Sequence, residues 1–140
     1  MQIRLAQTGD AEKLLSIDQL AKRESARERL LKTTIESGGC WFAEDGESIL
    51  GYILLEYSFY GNGFVPLVVI AEQCRRRGIG ERLLLYVVSN CTTQKLFTST
   101  NESNTAMRGL LAKTGFEASG VIYNLDDEDP ELIFVRRIEG

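Results

Sequence analysis

A strand that runs into a helix through a short turn carrying two glycines leaves few architectures open, and residues 68–83 are such a run. They read Val68-Val69-Ile70-Ala71-Glu72-Gln73-Cys74-Arg75-Arg76-Arg77-Gly78-Ile79-Gly80-Glu81-Arg82-Leu83. The β-branched start favours a strand. From Ile79 onward, Leu83, Leu84, Val87, Val88 and Cys91 share one helical face. The first turn of a helix leaves about four backbone N–H groups without intrahelical partners and carries a partial positive charge, so it suits an anion. Gly78 and Gly80 leave those amides uncovered, and Arg75, Arg76 and Arg77 add charge-assisted donors. The chemistry fits a diphosphate. Nucleotide-triphosphate and dinucleotide loops are excluded, because neither Gly-x-x-x-x-Gly-Lys-Ser/Thr nor Gly-x-Gly-x-x-Gly after a first strand occurs.

The rest of the chain alternates short elements. Gln2–Ala6 reads as a strand, and Thr8-Gly9-Asp10 caps a helix predicted over Ala11–Ala21, with Leu14, Ile17 and Leu20 at helical spacing. A second helix is predicted over Ser25–Ser37, stopped by Gly38-Gly39. Cys40–Glu44, Ser48–Tyr57 and Phe64–Ala71 are rich in aromatic and β-branched residues and read as an antiparallel meander, irregular near Pro66, which has no N–H to give. The helix from Ile79 to Cys91, a strand over Lys95–Thr100, a helix over Asn104–Thr114 and two strands, Glu117–Leu125 and Glu131–Arg137, complete the pattern. The fold class is α/β (α+β): a central mixed, mainly antiparallel sheet of about seven strands flanked by about four helices. A length of 140 residues, with no repeat or linker, predicts one domain over residues 1–140.

Composition removes whole classes of function. The apolar runs Leu67–Ala71 and Leu83–Val88 fall far short of the roughly 18 residues of a membrane span, so no membrane crossing is expected. The first residues lack a secretory pattern, which predicts a cytoplasmic chain. Cys40, Cys74 and Cys91 are odd in number and widely spaced, and read as reduced thiols. The chain has no histidine, which removes Ser-His and Cys-His pairs and leaves no metal site in prospect. Much of the net charge of −4 sits in the cluster Asp126, Asp127, Glu128, Asp129 and Glu131, and the remainder is nearly neutral, so nucleic acid is not an expected partner.

With these residues in view, the sequence resembles the GNAT acetyltransferase superfamily. Its signature Gln/Arg-x-x-Gly-x-Gly/Ala, between a strand and a helix, corresponds to Arg75-Arg76-Arg77-Gly78-Ile79-Gly80. A second match is Asn104 at a helix start ahead of the pair Gly115-Phe116. The order of elements is similar throughout, although residues 1–39 match by pattern alone.

The resemblance implies acetyl-CoA as acyl donor, with its pyrophosphate on the amides around Arg76 to Glu81 and its pantetheine arm along the backbone of Val68, Val69 and Ile70. It also implies that this strand splays from its neighbour, Leu96 to Thr100, opening a slot for the thioester. Asn104 takes the position that contacts the arm, and Asn101 is a second candidate. The implied reaction is acetyl transfer to a primary amine, on a small molecule or a peptide, by direct attack, in a monomer or homodimer. A lysine-like amine with pKa near 10.4 carries a penalty of roughly 4.6 kcal/mol at pH 7 before it attacks, so a carboxylate or ordered water must take its proton.

Two departures stand out. The position at which relatives often carry a tyrosine as proton donor is Leu111, and the strand start where some carry a glutamate reads Phe64-Val65-Pro66. Glu56 is therefore the candidate base, with Tyr57, Tyr60, Ser99 and Tyr123 as unranked donors. The departures motivate an alternative, a non-catalytic acyl-CoA-binding or sensing domain. A further alternative is an interaction module with a solvated basic turn. The basic residues Lys22, Arg23, Arg27, Arg29 and Lys32 read as a solvated helix face or an acceptor surface, and the acidic run as a hairpin connection or a lure for a cationic amine.

Overall fold

A computed structural model of the chain describes residues 1–18 and 24–138. The elements are β1 (Gln2–Leu5), α1 (Ala11–Ser16), α2 (Ser25–Glu36), β2 (Cys40–Asp45), β3 (Ser48–Leu54), β4 (Glu56–Phe59), β5 (Asn62–Val65), β6 (Val68–Ile70), α3 (Ile79–Asn90), β7 (Lys95–Asn101), α4 (Thr105–Lys113), β8 (Glu117–Ile122) and β9 (Glu131–Arg137). Short 3₁₀ turns over Thr8–Asp10 and Glu72–Cys74 precede α1 and the basic turn.

The expected mixed, mainly antiparallel architecture is present, divided into two sheets ordered β1-β2-β3-β6 and β4-β5-β7-β9-β8. The extra strands arise because two predicted strands each break in the middle. Ser48–Tyr57 becomes β3 and β4, parted at Leu55, and Phe64–Ala71 becomes β5 and β6, parted at Pro66-Leu67. The break in each has a local cause. Pro66 cannot donate to a ladder, and at Leu55 the β2–β3 ladder runs out, its last bond being the Leu55 N–H to the Gly39 carbonyl at 2.7 Å, one pair past Cys40–Leu54. The half-strands then join different sheets: β6 pairs with β3, while β5 pairs parallel to β7 through Val65 and Thr98.

Beyond that point β6 and β7 separate, as the resemblance implied. Thr98 marks the fork: its buried hydroxyl donates to the Val65 carbonyl at 2.8 Å, a side-chain bond where a ladder bond would otherwise continue.

The layers follow from the alternation of side chains. One face of the sheets packs Ile53, Val65, Leu96 and Phe134 under Ile79, Leu83, Leu84 and Val87 of α3 and Leu111 of α4. The other packs Phe42, Tyr52, Leu54 and Val69 under Leu14 of α1 and Leu31 and Ile35 of α2. Cys40 lies in this second layer, where burial, and then the nearby Asp10 charge, push its thiol up to about 12. It stays protonated and inert. The cysteines are all free, in keeping with the expected reduced state.

Helix α1 is shorter than predicted. It ends at Ser16, whose hydroxyl bonds back to the Lys13 carbonyl at 2.6 Å, competing with helix continuation. The remainder of the predicted helix, with Leu20, and the basic residues Lys22 and Arg23 lie outside the described residues. No helix among the described residues is long and apolar enough to cross a membrane.

Candidate functional site

The basic turn between β6 and α3 has two consecutive features that expose its amides. Arg76 and Gly78 both take left-handed backbone conformations, with φ of 65° and 80°. Alternation of this kind turns successive N–H groups toward one concavity, which holds anions well. Gly78 is the helix N-cap and has no side chain to fold back over the first turn. Arg82 closes that turn onto the Gly78 carbonyl at 3.2 Å. No backbone bond among the described residues uses the N–H groups of Gly78, Ile79, Gly80 or Glu81.

Gly80 keeps this surface close to α4. A Cβ there would meet Leu110 Cδ2 at 3.0 Å and the Ile70 side chain at 3.8 Å. The side chains of Arg75 and Arg76 are exposed and form no ion pair among the described residues. Arg77 points back, its guanidinium 3.7 Å from Cys74 Sγ.

These groups open onto a cavity of about 800 Å³. Its lining contains Val68, Val69 and Ile70 of β6, then Arg75, Arg76, Gly78, Ile79, Gly80 and Glu81 of the turn and α3. From α4 and its start come Asn104, Met107, Leu110 and Lys113, and from the α1 and α2 side Ile17, Asp18 and Arg27. The cavity therefore follows the free edge of β6 from one layer to the other. Val68 and Ile70 belong to the α3 layer and Val69 to the α1 and α2 layer.

Asn104 caps α4 with its Oδ1, which accepts from the Met107 amide at 3.1 Å. That bond fixes the amide group, and its NH₂ has no acceptor among the described residues. Among the described residues both acids of the lining are matched by cations: Glu81 by Lys113 at 3.0 Å and Asp18 by Arg27 at 2.6 Å. Arg75 and Arg76 are thus the surplus charge, and the cavity is cationic at its α3 end.

Asp18 also accepts from the Tyr52 hydroxyl at 3.0 Å. Burial, and then the Asp18 charge, push the Tyr52 phenol up, so it remains a neutral donor. The sequence reading did not single out Asp18. A signal was present, since Asp18 stands one turn after Leu14 on the apolar stripe of the predicted helix, where a carboxylate needs a partner.

Other candidates lie elsewhere. Asn101 gives its amide to Asp126 Oδ2 at 2.9 Å and to the Asp129 carbonyl at 3.2 Å. Ser103 donates to Asp129 Oδ2 at 2.6 Å, so two acids of the acidic run tie the hairpin to the β7–α4 loop. Glu56, on β4, accepts from Ser58 at 2.9 Å and is not part of the lining. Tyr57 accepts from the Thr92 amide at 3.1 Å, and Tyr60 and Tyr123 stand in solvent. Leu111 is wholly buried in the α3 layer rather than facing the cavity.

The sequence matches the family model described as Acetyltransferase (GNAT) family over residues 10–116. A GNAT-family acetyltransferase structure from Bacillus cereus is 33% identical, with a TM-score of 0.92, covering 99% of this chain and 98% of that one. A ribosomal-protein-alanine N-acetyltransferase from Brucella melitensis is 21% identical with a TM-score of 0.82, covering 98% of this chain and 99% of that one. A structure from Salmonella typhimurium determined with its cofactor acetyl-CoA is 14% identical with a TM-score of 0.79, covering 99% of this chain and 94% of that one. No curated protein sequence matches the chain.

Proposed function

The chain belongs to the GNAT acetyltransferase family, and from that premise we propose that it moves the acetyl group of acetyl-CoA to a primary amine by direct attack. The observation that carries this reading is the set of uncommitted amides from Gly78 to Glu81 at the cationic end of the β6 cavity. Each charge-assisted hydrogen bond there contributes roughly 1.5–3 kcal/mol. The donor set fits a diphosphate: backbone N–H groups for the bridging anion, with the exposed guanidinium groups of Arg75 and Arg76 at its flank.

The apolar length from Ile70 past Met107 and Leu110 suits a narrow, largely uncharged arm, and the free NH₂ of Asn104 supplies one donor along it. Val68, Val69 and Ile70 offer the arm their backbone edge, since among the described residues β6 has a strand partner on one side only. When bound, acetyl-CoA supplies the activated thioester. The fork at Thr98 puts β6 and β7 in different sheets, and the thioester would lie beside β6 there.

The acceptor amine then approaches from the end lined by Asp18 and Arg27. Its proton must go to a carboxylate or water, and two carboxylates compete for that task. Glu56 stands on the strand next to the fork. Asp18 lines the cavity itself, held by Arg27 and Tyr52.

The test is release of free CoA from acetyl-CoA across a panel of polyamines, aminoglycosides, amino acids and peptides with free N-termini. Peptide N-termini belong in the panel because the Brucella melitensis structure bears the name of a ribosomal-protein-alanine N-acetyltransferase. At least one amine class should accelerate release, and the E56Q or D18N variant that loses the acid limb of the pH profile identifies the base. Saturation with acetyl-CoA at 100 times its Kd should add about 2.7 kcal/mol of stability. Binding with no acceleration by any amine would favour the sensing domain, and no binding at millimolar acetyl-CoA would remove both readings.

A further inference from the structure

We propose that the acceptor is a small monoamine carried on an aromatic or apolar body, selected by a shelf of three phenylalanine rings, Phe59, Phe64 and Phe97, beside Glu56. This rests on the acetyltransferase reading and names the substrate class of that site.

The shelf follows from strand register. Glu56 pairs with Phe64 across β4 and β5, and Phe64 pairs with Phe97 across β5 and β7, so the three side chains stand in one row on one face. Val65, the next residue, packs into the α3 layer, so the row looks the other way, to the side on which α1 and α2 cover the first sheet. None of the three rings packs into either helical layer. They pack on one another: the Phe59 ring centroid lies 5.1 Å from that of Phe64, with the planes 24° apart, and 4.9 Å from that of Phe97. All three are half-buried, and Tyr60 stands edge-on to Phe59 in solvent.

The shelf adjoins the fork. Leu54 gives its N–H to the Leu67 carbonyl at 3.0 Å, and two residues further on Glu56 pairs with Phe64, so this strand spans the break at Pro66. Phe64 and Leu67 are at most about 10 Å apart along the chain. A small acceptor can therefore rest its body on the rings with its amine beside β6.

Charge sets which way it lies. Glu56 accepts a hydrogen bond from Ser58 and forms no ion pair among the described residues, so it is open to an ammonium group. Alternation puts Ser99, Asn101 and Glu131 on this face at the fork end, where Asn101 holds Asp126 and the hairpin closes the row. The opposite end carries Lys95, paired with Arg137 and about 7 Å along β7 from Phe97. Both cations are exposed and form no ion pair among the described residues. Glu117 is farther off, across Val135 on β8. Lys95 is thus the charge nearest the rings at that end. An amine head belongs at the acidic end, and a second ammonium at the tail of a body on the rings would meet Lys95. A row closed by the hairpin suits a small molecule rather than a peptide chain.

Acetyl-CoA-dependent release of free CoA, compared for 2-phenylethylamine, hexylamine, 1,6-diaminohexane, spermidine and a tripeptide with N-terminal phenylalanine, tests this. The kcat/KM for 2-phenylethylamine should exceed that for 1,6-diaminohexane or spermidine at least about 10-fold, with hexylamine between. F97A should lower kcat/KM for 2-phenylethylamine at least about 10-fold, chiefly through KM, with the Kd for acetyl-CoA within about 2-fold, and F97L should restore part of the loss. The surface variant K95E, which leaves the rings intact, should narrow the preference over 1,6-diaminohexane at least about 3-fold. Preference for spermidine, the diamine or the peptide, or F97A and K95E variants with unchanged preferences, would overturn this inference and leave the acetyltransferase reading standing. Release of CoA with no amine at all would overturn both.

Discussion

Replacing Gly80 with valine is expected to weaken acetyl-CoA binding by at least about 100-fold while the protein stays folded. Gly80 is buried in the first turn of α3, and its missing side chain is what lets the turn lie against Leu110 and Ile70. A Cβ would already press on Leu110 at 3.0 Å. The two methyl groups beyond it would crowd Leu110 and Ile70, which line the cavity beside the amides of Gly78 to Glu81. Loss of two charge-assisted bonds at roughly 1.5–3 kcal/mol each accounts for the predicted factor. Helix propensity does not oppose the change, because valine is a better helix former than glycine. Calorimetric titration with acetyl-CoA, beside a Tm measurement without ligand, separates lost binding from lost folding. An unchanged Kd would mean that the diphosphate does not lie on this turn.

The largest effect on stability is expected at Gly39. Its Cβ would collide with the Leu55 carbonyl oxygen and stand 3.1 Å from Thr34 Cγ2. Neither neighbour has room to yield. Gly39 receives the Leu55 N–H at 2.7 Å and gives its own to the Thr34 carbonyl at 2.9 Å. The site is where the chain passes from β3 to β4 and changes sheets, so displacement there would disturb both. Gly39→Ala should cost about 3 kcal/mol, or about 10 °C in Tm. The adjacent Gly38→Ala makes the comparison informative. Gly38 has φ of 78° with open space around its Cβ position, so its cost is limited to the left-handed backbone, about 1–2 kcal/mol. Equal losses in the two variants would show that packing at Leu55 is not the cause.

The residues that were legible in the sequence are those whose role depends on local chemistry. Gly78 and Gly80 after an apolar strand, with arginines between, announce an anion-binding turn because the bare amides of a helix start are a property of a few consecutive residues. Asn104 was legible through the resemblance, as an asparagine at a helix start, and the structure makes it the cap. Pro66 signalled an irregularity, and the structure makes it a full break. The second break, at Leu55, carried no such mark. It falls where the β2–β3 ladder runs out, one pair past Cys40–Leu54 at Gly39, far away in the sequence.

Long-range pairing also explains the other differences. Asn101 reads as a polar residue at a strand end near the cofactor loop, yet Asp126 and Asp129 hold its amide. Asp18 was hidden because its importance lies in Arg27 and Tyr52, which only the packing of α1 and α2 on β3 brings to it.

The free amides of the β6–α3 turn are expected to grip the pyrophosphate of acetyl-CoA. Titration of the ¹⁵N-labelled protein with acetyl-CoA, following the backbone signals of Gly78, Ile79, Gly80 and Glu81, tests it directly. All of these signals should move strongly and together, saturating at the same Kd as the calorimetric titration, with much smaller shifts for acetylated pantetheine, which lacks the diphosphate. Binding of acetyl-CoA that leaves these amides unmoved would contradict the account.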